Sequence, residues 1–133
     1  MKLTVKSEYA LLAILYLSKN YEKKIIKIEE IAKEENIPKK YLEQILLILK
    51  RSGYLSSKRG AEGGYKLVKS PKDITIAEIV RLMDGPIAPV DSVSKYYYTS
   101  TPIEKNEKLK NLFSEIRRLV AEKLENTSFY DLL

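Results

Sequence analysis

Apolar residues recur at steps of three and four from the start of the chain. Val5, Tyr9, Leu12, Ala13, Tyr16 and Leu17 share one helical face, and Thr4 precedes them as a suitable N-cap. Ala10, Leu11, Ile14 and Leu15 widen the apolar arc, so this first helix is expected to pack on two sides. Residues 20–27 form a polar, lysine-rich connection. Ile28, Ile31 and Ala32 then mark a short second helix ending near Asn36, a residue type that tolerates a left-handed turn and lets the next helix leave at a steep angle. Across residues 39–52, Leu42, Ile45, Leu46 and Leu49 form a buried stripe, while Lys40, Glu43, Gln44, Leu47 and Arg51 fall on the opposite face. Pro38 suits the first turn of this third helix, and Gly53 suits its end.

Beyond Gly53 the period changes. Residues 54–57 and 65–68 read as two short strands joined by a loop with three glycines, which exposes Lys58 and Arg59 at its tip. Pro71 breaks the chain, after which Thr75 and Glu78 form a capping box and Ile74 faces Ile79 as a hydrophobic staple for a fourth helix that stops at Asp84-Gly85-Pro86. Residues 85–102 have no clear period. They carry Tyr96, Tyr97 and Tyr98, which could line a pocket, cover a subunit seam or pack locally, with local packing the plainest expectation. From residue 104 to 125, Leu109, Leu112, Ile116 and Leu119 follow a 3-4-3 step that Phe113, Val120 and Leu124 widen. This stripe either pairs with a second subunit, the favoured expectation, or folds back on the first helix. Residues 126–133 read as a short helical tail.

The expected fold is mainly α with a small β-hairpin: a winged helix-turn-helix followed by a long C-terminal dimerisation helix. Residues 1–84 would form a DNA-binding domain, with the helix-turn-helix at 28–52 and the wing at 54–68. Residues 85–102 would be a loop or effector segment, and 103–133 the dimerisation helix and tail. A helix with an amide-bearing outer face suits a major groove about 12 Å wide, and a cationic loop beside it can reach the neighbouring minor groove. Gln44 can pair with adenine, Glu43 can accept from cytosine N4, and Lys39, Lys40 and Tyr41 can hold phosphate. An ordinary amphipathic helix with a surface hairpin would give the same local pattern, and a solvated glutamate is the plainer reading of Glu43.

Charge sharpens this picture. The chain carries a net +6; residues 1–68 hold 14 Lys/Arg against 8 Asp/Glu, whereas residues 69–133 hold ten of each. The excess therefore lies in the half with the helix and hairpin, as a phosphate-binding footprint requires. With neither cysteine nor histidine, the chain lacks the ligands for iron–sulfur clusters or thiolate and imidazole metal sites, and it can form no disulfide. No nucleophile–base pair or phosphate loop emerges, so an enzyme is not expected. Without a signal-peptide pattern or a long apolar run, a cytoplasmic protein with no membrane partner is expected.

The segments MKLTVKSEYALLAI, IEEIAKEENIPKKYLEQIL and GYLSSKRGAEGGYKL together resemble the Rrf2 family of bacterial transcription regulators along nearly the whole chain. The resemblance implies a homodimer on an imperfectly palindromic DNA duplex, with recognition helices in the major groove and Arg59 in the minor groove. Carried over by position, it implies contacts from Lys39, Lys40, Tyr41, Glu43, Gln44, Arg59 and Gly60. Arg51 and Lys58 are further candidates on the same surface. Many members ligate an iron–sulfur cluster through cysteines in the segment matching residues 85–102, which has none here; no cofactor is expected. DGPIAPVD and LENTSFYDLL look like the cluster-free branch of cysteine-metabolism repressors. That likeness implies a repressor of cysteine or sulfur metabolism genes, with O-acetylserine thiol-lyase (cysteine synthase) as a partner and Tyr96, Tyr97 and Tyr98 bordering the effector or partner site. From another class, the rival is a protein-interaction adaptor that docks a metabolic enzyme and whose basic face is incidental.

Overall fold

Thr4 accepts a hydrogen bond from the Ser7 N–H at 3.2 Å and so starts helix α1 (Val5–Lys19) in the computed structural model, which describes residues 1–133. Its inner face is Ala10, Ala13, Ile14 and Leu17, flanked by buried Ser7 and Ser18. Val5 and Leu12, expected on that stripe, are exposed instead. The helix is apolar around most of its circumference, so spacing alone does not select the buried side. The small residues do, because they let α1 lie close to the helices it packs against.

Helix α2 (Ile28–Glu34) is tied to α1 by the Tyr16 hydroxyl, which donates to the Glu30 carboxylate. That carboxylate pushes the Tyr16 pKa up to about 12, so the tyrosine stays a donor at any physiological pH. Asn36 turns the chain with φ +53°, Ile37 is buried, and Pro38 with φ −56° opens α3 (Lys39–Arg51). The far end of α3 is closed by two hydrogen bonds, Gly53 N–H to Lys50 O at 3.1 Å and Tyr54 N–H to Leu49 O at 3.0 Å. This is the Schellman arrangement, and Gly53 takes the left-handed conformation it needs, with φ +85°. Leu42, Ile45, Leu46 and Leu49 all point inward, as their spacing requires.

The wing consists of β1 (Leu55–Lys58) and β2 (Gly64–Leu67), paired antiparallel with Leu55 opposite Leu67 and Lys58 opposite Gly64. Both strands sit one residue away from the expected limits, which places Lys58 at the end of a strand rather than in the loop. At the root, Ile26 and Tyr65 exchange backbone hydrogen bonds of 2.8 and 2.7 Å, adding a third short rung from the segment before α2. Two glycines make that closeness possible. A Cβ on Gly63 would lie 2.1 Å from the Lys58 carbonyl oxygen, and one on Gly64 would lie 2.4 Å from that of Ile26.

Helix α4 (Ile76–Asp84) begins with the expected capping box, and Ile74 and Ile79 are both fully buried beside it. Glu78 also accepts a hydrogen bond from the Tyr54 hydroxyl at 2.9 Å, anchoring the α3–β1 turn on α4. Burial, reinforced by this carboxylate, raises the Tyr54 pKa to about 12. Helix α5 (Glu107–Glu125) starts three residues later than expected, because residues 102–105 form a 3-10 turn and Asn106 caps the helix. It packs on α4 through Ala121 and the Arg81–Glu125 ion pair of 2.6 Å. The stripe of α5 is not folded back: Leu109, Leu112, Ile116, Leu119 and Val120 are exposed, Leu112 by 51% and Leu119 by 59%.

The tail returns to the first core. Phe129 N–H donates to Ile74 O at 3.0 Å, Ile76 N–H donates to Thr127 O at 2.9 Å, and the Phe129 ring is wholly buried among the residues that α1, α3 and α4 enclose. The class is therefore the expected one, mainly α with a single hairpin, and one continuous core runs from α1 to Phe129.

Replacing Phe129 by Ala is expected to remove about 3–5 kcal/mol of stability, read from urea unfolding followed by circular dichroism. Gly63→Ala should open the wing turn at a cost of about 1–3 kcal/mol. Hydrogen exchange would report it as lost protection at Val68, whose N–H donates to Tyr54 O, and at Lys66, which faces β1 in the same register, with the helices unaffected.

Candidate nucleic-acid interface

Helix α3 presents Lys40, Gln44, Leu47 and Arg51 at successive helical steps along one outer face, with Glu43 beside them, and all five are exposed. The same helix buries its leucine–isoleucine stripe, so the outer face has no freedom to rotate inward. Tyr41 is exposed but leans on α1, its ring 6.1 Å from that of Tyr9 at a tilt of 60°. Lys39 is already engaged: its ammonium lies 2.8 Å from the Glu29 carboxylate at the start of α2. The hydrogen bond between them lowers the Glu29 pKa and raises that of Lys39. Both groups are open to water, so the pair is weakly held, and an incoming phosphate can replace Glu29.

Between the start of α2, the end of α3 and the wing lies a cleft of about 440 Å³. Lys27, Lys50, Lys58 and Arg59 line it against a single carboxylate, Glu29, and backbone at Gly60, Gly63 and Gly64 completes the wall. Lys50 Nζ donates to Ser57 Oγ at 2.6 Å, fastening the end of α3 to β1. Lys58 and Arg59 are exposed and belong to none of the three ion pairs in the chain, so both charges are free for a ligand. Gly60 holds φ +102°, a value that carries the backbone around the tip beside Arg59. Four cations around open polar backbone form a surface that attracts a polyanion and hydrogen-bonds its phosphates.

Lys58, Arg59 and Gly60 thus come together in the cleft. Lys39 reaches it only through Glu29, and Arg51 stands at the far end of the α3 face. Lys27, Glu29 and Lys50 are additional members that sequence reasoning passed over. Lys50 was in reach of such reasoning, since it lies eleven residues from Lys39 and hence on the same side of a helix. Lys27 and Glu29 join only because the Ile26–Tyr65 rung draws their segment against the wing.

Tyr96, Tyr97 and Tyr98 lie outside this surface. The expectation that they pack locally is corrected: all three are exposed, Tyr96 by 60%. Buried Ile87, Ser92 and Val93 pin the segment in their place. Tyr96 is flanked by the cations of Arg81, at 4.9 Å, and Lys95, at 5.2 Å, while the Tyr98 hydroxyl donates to Glu104 at 2.7 Å. This hydrogen bond to a carboxylate raises the Tyr98 pKa.

The sequence pattern of the Rrf2 family, described as an iron-dependent transcriptional regulator, matches residues 3–133. A putative HTH-type transcriptional regulator, rrf2-like, from Rhodobacter capsulatus is 44% identical over 99 residues, covering 72% of this chain and 66% of that one, just under two thirds of its length. The HTH-type transcriptional regulator CymR of Bacillus subtilis is 33% identical over 132 residues, 99% of this chain and 89% of that protein. The solved structure of CymR, the global cysteine regulator of that organism, superposes with a TM-score of 0.81 over 99% of this chain and 95% of its own. A putative transcriptional regulator from Listeria innocua, also 33% identical, gives 0.84 over 99% of this chain and 85% of that one. These relatives are named as regulators, not enzymes. The iron in the family description does not fit the residues present here: no thiolate or imidazole exists in the chain, and no group of three or more carboxylates gathers to stand in for them. With the match running from residue 3 to residue 133 on a winged helix-turn-helix scaffold, the chain belongs to the Rrf2 family of transcriptional regulators.

Proposed function

We propose that this protein is a homodimeric, sequence-specific DNA-binding repressor that blocks promoters of cysteine or sulfur metabolism genes. The observation that carries DNA binding is the four-cation cleft between α2 and the wing, set beside the exposed Lys40–Gln44 face of α3. In this reading residues 1–84 bind the duplex. Gln44 and Glu43 meet base edges, while Lys39, Lys40, Tyr41 and Arg51 hold the backbone. Lys58, Arg59 and Gly60 carry the wing into the adjacent minor groove.

Residues 103–133 pair the subunits. The exposed leucine stripe of α5 supports this, because an apolar row some four turns long is costly to leave in water and a twofold partner buries it symmetrically. Two subunits also present two wings and two α3 faces, as a palindromic site requires. The likeness to a global cysteine regulator supports the choice of target genes. Residues 85–102 deliver the signal, with the exposed Tyr96–Tyr98 run receiving O-acetylserine thiol-lyase or a small effector.

Arg59→Ala is expected to cost about 1–3 kcal/mol of operator affinity in a gel shift at fixed salt, and unchanged affinity would remove the wing from the mechanism. In the parent, log K should fall with log salt by roughly 0.9 per neutralised phosphate, whereas a flat response would make the basic face incidental. A Leu112→Glu, Leu119→Glu double variant should sediment as a monomer with its helix content intact. It should lose about 2 kcal/mol or more of pairing free energy, and operator binding with it.

A further inference from the structure

The wing has a second face. Strand residues point alternately to opposite sides, so Ser57 and Tyr65 line the basic cleft while Ser56 and Lys66, paired in register, turn away from it. Two adjoining hollows, of about 240 and 230 Å³, run along that outer side and share Ile25 and Lys66. Lys58, at the tip end of β1, borders the first, and Lys23 and Lys24 border the second.

All four lysines are exposed, and Glu22 is the one carboxylate lining the hollows with them. Lys24 leans on Glu30 at 3.4 Å, but Lys23, Lys58 and Lys66 take part in none of the three ion pairs of the chain. The Ile26–Tyr65 rung fixes this arrangement, because it holds the segment carrying Lys23 and Lys24 beside β2. Ile25 is the only apolar side chain in either hollow, so a small ligand finds no enclosed wall to lodge against. A row of lysines on open surface suits a repeating anion instead.

A minor groove about 6 Å wide is walled by two sugar-phosphate backbones, so a fingertip entering it has one on each side. The cleft lies on the α3 side and meets the backbone between the two grooves, which leaves the outer face toward the other. We infer that the outer face of the wing is a second duplex contact, in which Lys66 and Lys23 bind phosphates of the backbone beyond the minor groove that Arg59 enters. Each subunit then holds duplex outside the site that α3 and Arg59 read, through phosphates that carry no base information. The inference rests on the DNA-binding reading of the wing.

The test uses the full chain and a duplex that the parent selects from a random pool, with a helical turn of added sequence at each end. Hydroxyl-radical footprinting should show the parent protecting backbone on both sides of the wing's minor groove. Lys23→Gln combined with Lys66→Gln should lose the outer protection alone, weaken binding roughly tenfold at fixed salt, and lower the salt slope by roughly 0.9 for each phosphate released. On a duplex trimmed at that minor groove, parent and variant should bind alike. The inference is overturned if the parent protects nothing beyond the groove, if the variant keeps the outer protection and the slope, or if its loss is as large on the trimmed duplex. Arg59→Ala separates this contact from the reading beneath it. If Arg59→Ala weakens binding while the double variant changes nothing, only the outer contact falls; if the parent selects no duplex, or neither variant alters binding, the wing reading falls with it.

Discussion

The wing and the basic cleft beside it depend on one pair of main-chain hydrogen bonds, those exchanged by Ile26 and Tyr65. A two-stranded hairpin is marginal by itself, and this wing has only four residues in each strand. The third rung turns a loose appendage into an extension of the helix-turn-helix, because Ile26 leads directly into α2. It also sets the width of the basic cleft: Lys27 and Glu29 ride on one side of the rung, Lys58 and Arg59 on the other. The rung tolerates no side chain at Gly64, where the Ile26 carbonyl occupies the space a Cβ would need. The glycine pair preceding Tyr65 is thus a packing requirement as much as a turn signal.

Helix α4 joins this unit to the rest. Glu78 caps its own helix and receives Tyr54 from the α3–β1 turn, while one turn further on Arg81 pairs with Glu125 of α5 and lies against the ring of Tyr96. The wing, the long helix and the exposed tyrosine segment therefore converge within two turns of one short helix. The Arg81 pairing holds the Glu125 carboxyl below its ordinary range, so the link persists until solution becomes clearly acidic.

Legibility in the sequence followed the sharpness of the local pattern. Helix α3 was readable because its apolar residues fall on one face and both ends carry stop signals, Pro38 and Gly53. The start of α4 was readable because Thr75 and Glu78 form a reciprocal pair three residues apart. Helix α1 was readable as a helix but not in orientation: an arc holding Leu11, Leu12, Ile14, Leu15 and Leu17 offers several candidate inner faces, and packing chose the one with Ala10 and Ala13. The candidate surface was legible where its members lie close together in the chain, as with Lys40 and Gln44 on α3 or Lys58 and Arg59 in the wing. It was hidden where tertiary pairing assembles it, as with Lys27 and Glu29. Nothing in the spacing of Tyr96, Tyr97 and Tyr98 indicated that all three rings stay in water while Ser92 and Val93 go inside.

Phe129 has a bearing on how the protein is made. Of all the core residues it leaves the ribosome last, well after α1, α3 and α4 have emerged and begun to pack. Until then the hollow beside Ile74 stays unfilled, and the backbone of Ile74 and Ile76 lacks its partners from the tail. The head is therefore complete only once residue 129 has been made and has folded back over helices that precede it.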